Sequence, residues 1–144
     1  MQAFVNTVDL EHGRDWLDDW LREHGSDERE RARGLREALR ALLVENGGGA
    51  GDPDAVELVD REAARLAVRL GPQGPRIEGR GPLDRVVALA LAAMLDGSWQ
   101  RLKACRNCRW AFYDYSRNRS AAWCSMQLCG NRTKTRAYRS RRRG

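Results

Sequence analysis

Four cysteines, Cys105, Cys108, Cys124 and Cys129, fall within 25 residues and are all the cysteine of this 144-residue chain. Their pattern, C-x2-C, then fifteen residues, then C-x4-C, is that of two soft-ligand pairs brought together by one excursion of the chain. Zn²⁺ in closed structural sites is held tetrahedrally by such thiolates, and the tight turn of a C-x2-C pair aims two sulfurs at one point. Two disulfides would need an oxidising compartment. A redox role for Cys105 and Cys108 would need a strand-then-helix α/β pattern that is absent around them. The chemistry expected is therefore one structural Zn²⁺ with all four positions filled by sulfur, which leaves no open position for catalysis.

Charge divides the chain near the same place. Residues 1–100 hold 13 Arg and 19 Asp+Glu, a net of −6, whereas residues 101–144 hold 13 Lys+Arg and one acid, Asp114, a net of +12. A basic excess packed into 44 residues is the electrostatic footprint of a polyanion binder. A helix from Arg132 would set Arg132, Arg136, Arg139 and Arg143 on one face, flanked by Lys134, Arg141 and Arg142. Arg117 and Arg119 precede it in a turn and can reach a second phosphate strand. Asn131 and Arg132, at the helix start, have the chemistry to read base edges, Arg against guanine and Asn against adenine. Asn131 can equally serve as a hydrogen-bonder that fixes the zinc site. Gly130 points to close packing against the hairpin or a phosphate. Asp114 is expected to pair with Arg132 or Arg117, or to act as a plain turn former.

The elements that must position these groups follow from local pattern. Trp99–Ala104 runs into the first cysteine turn and Arg109–Tyr113 runs out of it. The aromatic residues Trp110, Phe112 and Tyr113 favour strand, so a β-hairpin is expected. Residues 114–118 form a turn rich in side chains that bond backbone. Ser125 caps a basic helix entering at Met126 and running to Arg139, with Cys129 in its first turn. A knuckle and a helix N-terminus each supplying two thiolates make a treble-clef-like module. Too little apolar area is available in about 44 residues to fold it unaided. Removal of the metal is therefore expected to unfold the module and spare the rest.

The first hundred residues read as about four helices. Trp16, Leu17, Trp20 and Leu21 stripe Asp15–His24, and Gly25 ends it. Asp27 and Glu30 form a capping-box-like pair for a helix to Asn46, with Leu35, Leu39, Leu42 and Leu43 inward. Asp52-Pro53 starts a third helix, with Val56, Val59, Ala63, Leu66, Ala67 and Leu70 at helical spacing up to Gly71-Pro72. Gly71–Gly81 reads as a loop or a poor hairpin. Pro82 starts the most apolar helix, expected at the centre. His12 and His24 are expected at the surface. The fold class is thus mainly α: a helical domain over 1–97 and a small zinc module of β-hairpin and basic helix over 98–144. No stretch is long and apolar enough for a membrane span. Residues 1–9 lack the basic and apolar segments of a secretory signal, so a cytoplasmic protein, nucleoid-associated if it binds DNA, is expected.

Trp110–Lys134, with Phe112-Tyr113-Asp114, Ser116-Arg117-Asn118-Arg119-Ser120, Trp123-Cys124-Ser125-Met126 and Cys129-Gly130-Asn131-Arg132, closely resembles the CGNR zinc finger. Phe4-Val5-Asn6-Thr7-Val8-Asp9 resembles the opening of ABATE, a helical domain that commonly precedes that finger in bacterial proteins. The resemblance implies a zinc-bound module and a stress-related transcriptional regulator. The first cysteine pair is closer than is common in the family, which bears on loop shape rather than on the ligands, and Gly71–Gly81 is short for the domain. DNA is the partner expected first, with the helical domain sensing or dimerising. RNA binding through Trp110, Tyr113 and Tyr115 and a protein-interaction adaptor with a structural zinc are the other classes. Residues 1–100 show no phosphate-binding loop, nucleophile elbow or paired-His motif, and an enzyme is not expected.

Overall fold

The computed structural model describes residues 1–135. The chain opens with a single-turn helix α1 (Gln2–Val5), a small hairpin of β1 (Val8–Asp9) and β2 (Arg14–Asp15), and helix α2 (Leu17–His24). Helices α3 (Arg29–Asn46) and α4 (Pro53–Ala63) follow, then a hairpin of β3 (Ala67–Gly71) and β4 (Gly74–Glu78), then α5 (Pro82–Leu95). A 3-10 turn (Trp99–Arg101) leads into the antiparallel pair β5 (Leu102–Ala104) and β6 (Ala111–Tyr113), in register Leu102 to Tyr113 and Ala104 to Ala111. A π-helical turn, Met126–Gly130, passes into α-helix over 131–135. The mainly helical class with a hairpin-and-helix module is borne out.

Helix α3 is the axis of the fold, because Ala32, Leu35, Ala38, Leu39, Leu42 and Leu43 give it a buried stripe along its length. That stripe is covered by Phe4 and Val5 of α1, Leu17 and Leu21 of α2, Val59 of α4, and Leu83, Val86 and Val87 of α5. Ion pairs tie the layers: Arg31 of α3 meets Glu62 of α4 at 2.6 Å and Asp84 of α5 at 2.5 Å, and buried Arg36 forks onto Asp15 at 2.7 and 2.9 Å. Gly25 ends α2 in the left-handed conformation, φ 67°, as a helix-stopping glycine can. The Asp52 carboxylate accepts the Ala55 N–H at 3.1 Å and caps α4, with Pro53 at the first helical position.

Several expectations fail here for physical reasons. α3 begins at Arg29, and Glu28 stands at its N-cap with no side-chain capping bond, so the Asp27–Glu30 box does not form. α4 stops at Ala63. Residues 66–70 satisfy a helical spacing, but Val68 and Leu70 also alternate with Ala67 and Arg69, and the second period wins. Val68 pairs with Ile77 and Leu70 with Pro75 across the Pro72-Gln73 turn, which Gly74 closes at φ 105°. Val56 and Trp16, expected inward, are exposed. α5 is not central: it buries one side only, leaving Leu89, Met94 and Leu95 in solvent. His12 and His24 lie at the surface as expected, His24 stacked on Trp20 with ring centroids 4.1 Å apart.

The hairpin of the cysteine module shares this core. Leu102, Ala104 and Ala111 are buried in the same cluster as the leucines of α3, with Trp99 and Tyr113 packed against it. Asn6 pairs with the edge of β6 as another strand would: its amide donates to the Ala111 carbonyl at 2.9 Å and its carbonyl accepts the Ala111 N–H at 2.7 Å. Gln2 also donates to the Ala111 carbonyl, Arg40 to the carbonyls of Val5 and Arg109, and Asn46 to those of Trp99 and Leu102. Loss of the metal therefore should not unfold the module as a unit, since β5 and β6 remain clamped to the helices.

Candidate metal centre

The knuckle grows directly from the hairpin. The Cys105 N–H donates to the Trp110 carbonyl and the Arg109 N–H to the Cys105 carbonyl, both at 2.9 Å. Arg109 turns the chain in the left-handed region, φ 63°, while Arg40 holds its carbonyl at 3.0 Å. The second cysteine pair is set by a cap: the Ser125 hydroxyl accepts the Leu128 N–H at 3.3 Å, and the Gly130 N–H reaches back to the Ser125 carbonyl at 3.0 Å. This places Cys129 inside the opening turn, as its sequence position implied. The Arg106 N–H donates to the Ala122 carbonyl at 3.1 Å and ties the two cysteine loops together.

Four sulfurs result, all within 4.8 Å of one another, with Cys108 3.7 Å from Cys124, Cys124 3.8 Å from Cys129 and Cys129 3.6 Å from Cys108. A regular tetrahedron of sulfurs about 2.3 Å from a zinc ion has edges of about 3.8 Å, the spacing of Cys108, Cys124 and Cys129, and Cys105 lies within 4.8 Å of each of them. No disulfide joins them. Cys105 and Cys129 are buried, and Phe112, Trp110, Ala121 and Trp123 pack around the group in a cluster separate from the main core.

The surroundings shift the thiols in opposite directions. Burial pushes the Cys108 thiol up to about 12 and raises that of Cys124 as well, with the neighbouring sulfurs adding to the Cys124 shift. Burial acts the same way on Cys105, but backbone N–H groups of Cys108, Cys124 and Asn107 outweigh it and bring this thiol down to about 7. The backbone thus favours the Cys105 thiolate, and a dication would offset the burial that opposes deprotonation of Cys108 and Cys124. The Asn107 amide lies 3.6 Å from the Cys129 sulfur. This is the supporting role considered for Asn131, whose amide instead donates to the Gln127 carbonyl at 3.1 Å.

Asp114 is 1% exposed and is the electrostatic hinge of the module. Its partner is Lys103 at 2.8 Å, not Arg132 or Arg117. It also accepts the N–H and hydroxyl of Ser116 and the N–H of Ala121, so it is a turn former as well. Burial alone would raise its pKa. The Lys103 ammonium and these donors overcome that and hold the carboxyl well below the usual carboxylate range. Lys103 is buried too, and donates in addition to the Arg119 carbonyl at 2.5 Å.

The expected polyanion-binding side chains fall into two groups. Arg117 and Arg119 are exposed in the loop after β6, where the Arg119 guanidinium reaches Gln100 at 3.0 Å. Asn131, Arg132 and Lys134 are exposed on the helix after Cys129, and Arg132 is ion-paired with Glu11 of the β1–β2 turn. Among the described residues no hydrogen bond or ion pair links the two groups. Arg136, Arg139, Arg141, Arg142 and Arg143 lie outside the described residues. Gly130 is buried, but a Cβ there would meet the Met126 side chain at 2.9 Å rather than the hairpin.

Sequence reasoning missed Asn107, Lys103 and the seam formed by Gln2, Asn6 and Arg40. Asn6 stood within the opening motif and Asn107 between the first two cysteines, so both carried a positional signal. Arg40 carried none. Among the described residues, no helix is long and apolar enough to cross a membrane. Comparison with family models gives two matches: the CGNR zinc finger over residues 101–142, and ABATE, described as a putative stress-induced transcription regulator, over residues 1–98. No curated protein matches the chain. With the finger match and the sulfur geometry together, Cys105, Cys108, Cys124 and Cys129 hold one structural zinc.

Proposed function

The chain belongs to the ABATE family and carries a CGNR zinc finger, and from that premise we propose that it is a transcription regulator that binds duplex DNA through its basic C-terminal module. The observation that supports this most is the segregation of charge onto the metal module, +12 over residues 101–144 against −6 over residues 1–100. Arg109, Arg117, Arg119, Arg132 and Lys134 are all exposed there. Phosphate contacts by these side chains position the module, while Asn131 and Arg132 at the start of the helix are the base-reading candidates. In this reading the protein works at the nucleoid and the zinc is structural, its coordination sphere filled by sulfur.

RNA is a second reading, favoured by one observation. Tyr115 is 87% exposed and packs on Tyr113 with ring centroids 4.7 Å apart, a geometry open to base stacking. Trp110 and Tyr113 are partly buried and offer less. The test is fluorescence anisotropy of the zinc-loaded protein with duplex DNA and single-stranded RNA across a salt series. Duplex preference is expected, with log affinity falling by about 0.9 per phosphate contact for each log unit of salt. Arg132→Ala and Lys134→Ala should each lower that slope with zinc retained. Preference for RNA lost in Tyr115→Ala would favour the second reading, and no salt-sensitive binding to either would defeat both.

A further inference from the structure

Helix α5 has no charged or polar side chain from Val86 to Leu95, yet buries only one side. A helix that is apolar all round belongs inside a protein or an assembly. Its outer side continues onto the hairpin: Leu89 is 56%, Leu95 74%, Val68 64% and Leu70 87% exposed. Together with Pro75, Ile77 and Ala92, three of these (Val68, Leu89 and Leu95) line an open groove of about 1300 Å³ between α5 and the β3–β4 hairpin. Strand β3 has no partner other than β4 among the described residues, so its outer edge is also unpaired. Contiguous apolar area of this kind marks an interaction site.

We propose that this face is a two-fold dimer interface whose occupant is a second copy of the chain. The rim decides among occupants. Arg76 and Arg85 stand at the groove with Glu78 and Asp96, two charges of each sign around an apolar centre. In a two-fold interface the same patch meets itself rotated, so a balanced rim can pair plus with minus, whereas a rim of one sign would repel. A membrane surface would call for a basic rim. A small ligand would call for an enclosed pocket of roughly 300–1,000 Å³, and this groove is larger and open. Residues 136–144 of the chain, with five Arg and only Ala137 and Tyr138 to bury, lack the apolar side chains to cover it.

The inference does not depend on nucleic-acid binding, and its test contains no nucleic acid. Full-length zinc-loaded protein is examined by sedimentation equilibrium over a concentration series. The expected result is a dimer, with Leu95→Glu and Val68→Lys each weakening self-association by at least about tenfold, because each buries an unpaired charge. Both positions are exposed in the single chain, so circular dichroism spectra and melting of the dissociated variants should match the dissociated parent. Val68→Lys sits on the hairpin and Leu95→Glu on the helix, so one serves if the other misfolds. A wild type that stays monomeric, or a dimer that persists in both folded variants, overturns the proposal. So does a monomer that binds a fluorescent fatty acid or anionic vesicles in a Leu95-dependent way, which would give the face to a ligand or a lipid surface.

Discussion

Strands β5 and β6 enter the helical core with Leu102, Ala104 and Ala111 buried and with Gln2, Asn6, Arg40 and Asn46 bonded across the seam, whereas residues 122–135 reach the rest of the chain chiefly through sulfur. Apart from Cys124 and Cys129, the second part is joined by the Arg106–Ala122 backbone bond, the Asn107–Cys129 contact, the packing of Trp123 and the exposed pair of Arg132 with Glu11. Exposed ion pairs contribute little. The first half of the finger is thus an outgrowth of the helical domain, and the second is attached by a metal. The ion does not so much fold a module as aim a basic helix from a stalk that is already fixed.

The largest expected effect separates the halves directly. On removal of zinc with a strong chelator, hydrogen exchange measured by mass spectrometry should show residues 124–135 losing protection while β5, β6 and α3 keep theirs. Equal loss in both halves would break the comparison and restore the finger as a single folding unit. Next in size is Asp114→Asn, which strands the Lys103 ammonium in the stalk. Breaking a buried pair in this way costs about 3–5 kcal/mol, to be read from denaturant unfolding. Asp114 also fixes a pH dependence. Its folded-state pKa is depressed, so the unfolded chain binds the proton more readily, and stability falls as pH falls. The contribution should be intact above about pH 4, the ordinary carboxylate value, and be lost progressively below it.

Asn6→Ala sharpens the comparison from the helical side. It leaves the Ala111 N–H without its partner and should cost about 1–3 kcal/mol of global stability with zinc stoichiometry unchanged. Asn107→Ala probes the other half and should do the reverse. Zinc affinity should fall by about tenfold in a competitive chelator titration, with little change in the stability of the helical core.

The metal site was legible because thiolate chemistry demands a spacing, and the spacing survives in one dimension. Helices α2, α3 and α5 were legible from their apolar stripes. Of the β3–β4 hairpin only the turn and second strand were legible, within Gly71–Gly81; β3 was not, since Leu66 and Leu70 fit a helical period while Val68 and Leu70 also fit a strand, and only the cross-strand partner Ile77 resolves them. The position of α5 was misjudged because apolar content reports the wish to be buried, not which side the rest of the chain covers. For Asp114 the turn-forming role was legible but the partner was not, because hairpin register, which the sequence does not print, brings Lys103 alongside. Of the seam only Asn6 carried a signal, its place in the opening motif; Arg40 and Asn46 bond to backbone, and backbone contacts leave no periodicity to read.

X-ray absorption at the zinc edge on protein purified under reducing conditions tests the central claim most directly. One zinc per chain with four sulfur neighbours at about 2.3 Å is the expected result. A first shell containing nitrogen or oxygen, or protein that carries no zinc and has its cysteines paired as disulfides, would contradict it.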